Sequence, residues 1–193
     1  ATGSLSLKHG TKASDWDMLV VFEEGHIWIG RFILTTFLHL IGKRRHGDKI
    51  TDRACLNYFI TTKRLEILNQ DLYAAHEYQT MRLLYGVQTH EKFLQANRWI
   101  KRYKPNYDGQ ALNERFVTKD TFFSLGVQKL LEQLVGWLPL QSRLIEWQKE
   151  KIAMNPNTHL PGSYIEATDE ALVFLPKPRG PRVFEAFKKR LVF

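Results

Sequence analysis

The chain has 193 residues and carries 28 Lys and Arg against 20 Asp and Glu, a formal net charge of +8 with a pI near 9.6. That length fits one domain, or a domain with a helical extension, and the apolar content is ample for a core. A lone cysteine, Cys55, excludes an internal disulfide and a cysteine-based zinc centre. The most apolar run, residues 27–42, is interrupted by Arg31 and His39 and falls short of the roughly 20 apolar residues that a membrane span requires. No signal peptide is recognisable, so the chain reads as cytoplasmic and without a membrane association. The basic balance fits an anionic partner such as nucleic acid, a nucleotide or an acidic surface, or a surface that is merely rich in lysine.

The chain opens on a small-residue turn, Thr2-Gly3-Ser4. Residues 5–9 are expected to add a short helical turn carrying Lys8 and His9, and residues 10–14 form a polar loop. Asp15-Trp16-Asp17-Met18 and the apolar Leu19-Val20-Val21-Phe22 then read as a strand. Side chains alternate across a strand, so Asp15 and Asp17 share one face and Trp16 and Met18 the other. Two carboxylates held side by side repel unless a cation sits between them. A hard divalent ion, Mg²⁺ or Mn²⁺, is the expected one, because such ions prefer oxygen and are usually held by one or two carboxylates together with substrate phosphates. Gly3 and Ser4 offer backbone N–H groups and a hydroxyl to a phosphate, with Lys8 close by.

Residues 27–45 read as a helix in which Arg31, Thr35, His39 and Lys43 recur every fourth residue as one narrow polar stripe. The rest is apolar, which predicts a largely buried helix between the sheet and later helices. Lys43-Arg44-Arg45-His46 closes it, as helix-dipole cations or as phosphate contacts. Ala54–Thr61 reads as a strand rich in aromatic and β-branched residues, and residues 65–68 as a short edge strand. Asp71 is a candidate N-cap for a helix over 72–85 that Gly86 ends. It contains His76-Glu77, where Glu77 is either a surface charge or a carboxylate in support of the site. A further helix spans 89–103, and the turn 105–109 is the best boundary between two parts of the chain. Beyond it come an amphipathic helix over 120–138, a second over 140–154, and a hairpin of 164–167 with 171–175. A Pro-rich basic loop with Lys177, Arg179 and Arg182 and a short terminal helix follow.

The Gly3-Ser4 turn, the spacer and Asp15-Trp16-Asp17 resemble the signature of the nucleotidyltransferase superfamily that shares the DNA polymerase beta fold. Ala54-Cys55-Leu56-Asn57-Tyr58-Phe59, Asp71-Leu72-Tyr73-Ala74-Ala75-His76-Glu77 and Ala96-Asn97-Arg98-Trp99 resemble an uncharacterised prokaryotic branch of predicted nucleotidyltransferases. The resemblance implies an α+β fold. A mixed β-sheet nucleotidyltransferase core flanked by helices would occupy 1–104, and a helical extension with the small hairpin and terminal helix 105–193. It implies Mg²⁺- or Mn²⁺-dependent transfer of a nucleoside monophosphate from an NTP to a hydroxyl of RNA, protein or a small molecule. Gly3, Ser4 and Lys8 would bind the nucleotide, and Asp15 and Asp17 the metal.

In that superfamily a further strand adds a third carboxylate. Here its position falls to Asn57, which offers a carbonyl oxygen but neither charge nor a proton acceptor. Asp52, just before the strand, is the nearest carboxylate and the alternative metal ligand. A catalytically degenerate nucleotide- or RNA-binding module therefore stands beside the enzyme reading. A regulatory partner or oligomer role through the apolar helices at 120–154 stands as a third. The superfamily places a strand before the Gly-Ser turn, and almost no sequence precedes it here, which implies a piece of a longer chain.

Overall fold

The computed structural model describes residues 1–7, 9–109, 114–122, 124–126, 129 and 141–191. A single helical turn, Gly3–Ser6 (α1), precedes the strand Trp16–Phe22 (β1). The helix Ile27–Leu40 (α2) crosses over to the strand Ala54–Thr61 (β2), which pairs with β1 in parallel. Among the described residues the helices Leu72–Gln79 (α3), Val87–Ala96 (α4), Ile100–Tyr103 (α5) and Gln141–Ala153 (α6) follow. The hairpin Tyr164–Ala167 (β3) and Ala171–Leu175 (β4) leads into the helix Arg179–Leu191 (α7). Both hairpin strands run antiparallel to their neighbours, and the sheet order is β1-β2-β4-β3. The fold is thus α+β, a mixed four-stranded sheet flanked by helices, with a C-terminal helix. The expected hairpin is part of this sheet, so one sheet draws on residues from both sides of position 104.

Strand alternation divides the core. Tyr58 and Ile60 of β2 and Val173 of β4 face α3, α4 and α5, where they meet Ala75, Tyr78 and Phe93. Phe59 and Leu172 face the other way, onto Ile27 and Trp28 of α2 and Ile152 of α6. Helices therefore cover both faces of the sheet. Gln148 of α6 donates to the carbonyl of Trp28 at 3.0 Å and accepts from Arg31 at 2.6 Å, which locks α6 onto α2.

Several elements depart from the sequence expectation for identifiable reasons. α2 stops at Leu40 rather than continuing to residue 45. Gly42 adopts φ +70°, and the N–H of Lys43 turns back to the carbonyl of Leu38, a left-handed cap that ends the helix before the basic cluster. Nor is α2 largely buried. Arg31 of its polar stripe points inward to Gln148, while Phe37, Leu40 and Ile41 are exposed.

The segment 65–68 is an irregular loop rather than an edge strand, held by burial of Leu65 and Ile67. α3 stops at Gln79, where the hydroxyl of Thr80 turns back onto the carbonyls of His76 and Glu77. Gly86, at φ +84°, then starts α4 instead of ending α3. The expected helix over 89–103 is two helices broken at Asn97. Most of the expected helix over 120–138 lies outside the described residues. Arg179 and Arg182, expected in a loop, belong to α7. Among the described residues no helix is long and apolar enough to cross a membrane.

Candidate functional site

The parallel pairing of β1 and β2 sets Asp17 beside Cys55. One residue earlier than the strand, Asp15 points to the same side. Ligand atoms of Asp15, Asp17 and Cys55 all lie within 4.8 Å of one another. The i, i+2 spacing of the two aspartates thus brings their carboxylates together, as strand alternation requires. Beyond this point the register slips: Asp17 pairs with Cys55 but Leu19 with Tyr58, so Met18 faces two residues, Leu56 and Asn57. Cys55 and Asn57, two apart, face the cavity described below by alternation, and the bulge brings Tyr58 to the same side, while Leu56 packs on the opposite face with Phe59.

Two neighbours fix the carboxylates. Arg45, from the loop after α2, is held by its N–H on the carbonyl of Ala54. Its guanidinium donates to Oδ2 of Asp15 at 2.5 Å and reaches Sγ of Cys55 at 3.3 Å. From the other side comes α1. The N–H of Thr2 donates to the carbonyl of Asp17 at 2.9 Å, and Gly3, at φ +69°, lies so close that a β-carbon there would stand 2.3 Å from Oδ2 of Asp17. Glycine is required by both the backbone conformation and the contact.

A cavity of about 460 Å³ opens beside these groups, between the sheet, α3 and the segment that joins β4 to α7. Asp17, Asn57, Tyr73, Glu77, Lys177 and Arg179 supply its polar lining. Burial raises the pKa of Asp17, and the Asp15 charge adds to the rise. Glu77 is raised by burial first and by Asp17 second, against a hydrogen bond from Thr2. Burial, then Glu77, raises Tyr73, against the opposing charge of Arg179. The Cys55 thiol is pushed up to about 11, again by burial and then by Asp17. Carboxylates gathered in a partly desolvated space favour whatever cation enters it.

The donor set fits one class of ion. Two carboxylates offer hard oxygen ligands suited to Mg²⁺ or Mn²⁺, and the amide oxygen of Asn57 is of the same kind. Cys55 does not fit, because sulfur is a soft ligand and these ions prefer hard oxygen. Arg45 is the counter-charge of Asp15 in the protein by itself.

Of the residues marked in the sequence, Gly3, Asp15, Asp17 and Asn57 come together here. Asp52 does not join them. It sits at φ +55°, largely exposed, with its carboxylate on Nζ of Lys43 at 2.5 Å. Ser4 is outside the cavity lining, and its carbonyl accepts the N–H of His9 at 3.0 Å. Lys8 lies outside the described residues. Cys55, Arg45 and Tyr73 were not marked as site residues. Cys55 reads in sequence as one more apolar strand position, and Arg45 as a helix-end cation or a phosphate contact. Tyr73 and Glu77 carry a usable signal, since i, i+4 on a helix capped by Asp71 places both on one face. No family model matches the chain, and no curated protein and no solved structure matches it either.

Proposed function

We propose that this cavity is the active site of a divalent-cation-dependent nucleotidyltransferase, which moves a nucleoside monophosphate from an NTP to a hydroxyl of an acceptor (RNA, protein or small molecule). The observation that carries the reading is the convergence of Asp15 and Asp17 at the edge of a cavity that also holds cations, with Gly3 packed directly on Asp17. In the reaction the acceptor hydroxyl gives up its proton to water, its oxygen bonds to the α-phosphorus, the bond from that phosphorus to the bridging oxygen breaks, and pyrophosphate leaves. Mg²⁺ or Mn²⁺ held by Asp15 and Asp17 would neutralise phosphate charge and stabilise the attacking and leaving oxygens. The chain itself contributes positioning. Gly3 lets the carboxylate of Asp17 stand at the cavity edge, Arg45 orients Asp15, and Asn57 offers an amide oxygen to the acceptor.

A second reading has its own support. None of the β2 residues that line the cavity is an acid: they are Cys55, Asn57 and Tyr58. Arg45 is meanwhile bonded to both Asp15 and Cys55. Such a site suits a module that binds nucleotide without turning it over. One experiment separates the two. The protein is incubated with Mg²⁺ or Mn²⁺, each α-labelled NTP and candidate acceptors, beside Asp15→Asn/Asp17→Asn. Label transfer lost by at least a hundredfold in the double variant is the expected result, the scale at which removal of charge-stabilising groups acts. Metal-dependent binding with no transfer selects the binding module, and no metal-dependent binding rejects both.

A further inference from the structure

The segment that joins β4 to α7 carries two cations into the cavity, Lys177 and Arg179, far in sequence from the aspartates. Resting on the reading of the cavity as a nucleotide site, we propose that Lys177 and Arg179 form the wall that binds the triphosphate tail, so that the C-terminal segment sets the preference for NTP over NMP.

The other places for that tail are weaker. α1 is a single turn of four residues, its Gly3 is packed against Asp17, and Ser4 lies outside the lining. Arg45 is already committed to Asp15 and Cys55. Lys177, by contrast, has no carboxylate partner among the described residues, although it lines a cavity that also contains Asp17 and Glu77. Arg179 lines the cavity together with Tyr73 and lies within electrostatic reach of Asp17 and Glu77. Its planar fork of N–H groups matches phosphate oxygens.

The mounting is stiff. Pro176 and Pro178 flank Lys177 and fix φ on both sides of it. Upstream, Leu175 is paired with Tyr164 in the hairpin. Downstream, Gly180 lies against the α3 cap, where a β-carbon would stand 2.6 Å from Oδ2 of Asp71. A loop held at both ends has little freedom to lose when an anion binds, which favours affinity. The carboxylates at the aspartate end repel a bare anion, so a polyphosphate accompanied by a divalent cation matches both ends of the cavity better than a monophosphate does.

The test measures binding of the ATP, ADP, AMP and GTP, GDP, GMP series, with Mg²⁺ or Mn²⁺, to the full chain and to Arg179→Ala, Arg179→Lys, Lys177→Ala and Tyr73→Phe. The wild type is expected to hold at least one triphosphate about tenfold or more tighter than its monophosphate. Arg179→Ala and Lys177→Ala should each weaken triphosphate binding by about tenfold and leave monophosphate binding unchanged, since only the tail loses a partner. Arg179→Lys should keep part of the difference, and Tyr73→Phe, which removes a neighbouring hydroxyl and no charge, should change it by less than about threefold. Thermal melts report whether each variant folds, and Lys177→Ala, at an exposed side chain with no ion pair among the described residues, keeps the test open should Arg179→Ala fail to fold. A triphosphate preference that survives in folded Lys177→Ala and Arg179→Ala overturns the proposal, as does a wild type that binds no nucleotide or shows no preference. A preference that the substitutions abolish, in a protein that transfers no label, supports this wall while the transferase reading falls.

Discussion

At Gly3 the backbone adopts φ +69°, and the space above its α-carbon belongs to the carboxylate of Asp17. A side chain there meets two penalties at once: the left-handed backbone region, and a β-carbon 2.3 Å from Oδ2. Gly3→Ala should therefore cost about 1–3 kcal/mol and lower the melting temperature by about 3–10 °C, as scaled for a chain of this size. More telling is its effect on the site. Asp17 must move, so metal-dependent nucleotide binding should fall at least about tenfold while far-UV circular dichroism stays native. Native-strength binding by folded Gly3→Ala would show that Asp17 does not depend on this contact. The same carboxylate is already in an unfavourable place, since burial and Asp15 both raise its pKa. Keeping such a group beside a cavity makes sense if a cation compensates it there.

The break between α4 and α5 shows how one polar side chain shapes whole elements. Asn97 is 1% exposed and uses its entire amide. Its Oδ1 accepts from the N–H of Ile67 and from Nε1 of Trp99, and its Nδ2 donates to the carbonyls of Leu65 and Phe93, all at 2.8–2.9 Å. The loop 65–67 thereby satisfies in the core the backbone groups that a strand would have satisfied in a ladder. Asn97→Ala strips partners from the buried N–H of Ile67 and the carbonyl of Leu65. It should cost about 2–4 kcal/mol and lower the melting temperature by about 5–15 °C, read by thermal denaturation. A loss below about 1 kcal/mol would mean that the loop finds other partners.

This residue also marks the limit of what the sequence could tell. The strands Ala54–Thr61, Tyr164–Ala167 and Ala171–Leu175 were legible because aromatic and β-branched runs end at turn residues. The ends of α2, α3 and α4 were not. They are decided by Gly42, by the hydroxyl of Thr80 and by Asn97, and two of these act through bonds that exist once the chain is folded. In the site, the i, i+2 pair Asp15 and Asp17 was legible for the same local reason. The placement of Cys55 opposite Asp17 depends on a register, and that of Arg179 on a return of the chain after β4, neither of which is a local property.

Across the whole molecule, β2 is the strand on which everything else depends. It is paired on one side with β1 and on the other with β4, a strand more than 100 residues later in the chain. Ala171, Leu172 and Val173 of β4 are buried completely or nearly so, and Leu172 joins Phe59 in the core that also takes Ile27, Trp28 and Ile152. A fragment of residues 1–104 would expose the β4-facing edge of β2 to solvent together with Phe59, and would lose α6 from the face of α2. An uncovered apolar edge strand templates aggregation, and a two-stranded sheet is marginal in water. The fragment should thus show no cooperative melt, rapid digestion by a protease in limited proteolysis, and concentration-dependent aggregation, all by comparison with the full chain. A cooperative transition in the fragment, with protection of the Phe59 region, would show instead that β1, β2 and α2 hold together without the hairpin. Because the hairpin that completes the sheet also leads directly to Lys177 and Arg179, the step that closes the core delivers the cations to the aspartates. Stability and site assembly are for this reason expected to be lost together in the fragment, and nucleotide binding should follow the protease-resistant fraction of the full chain as denaturant is raised.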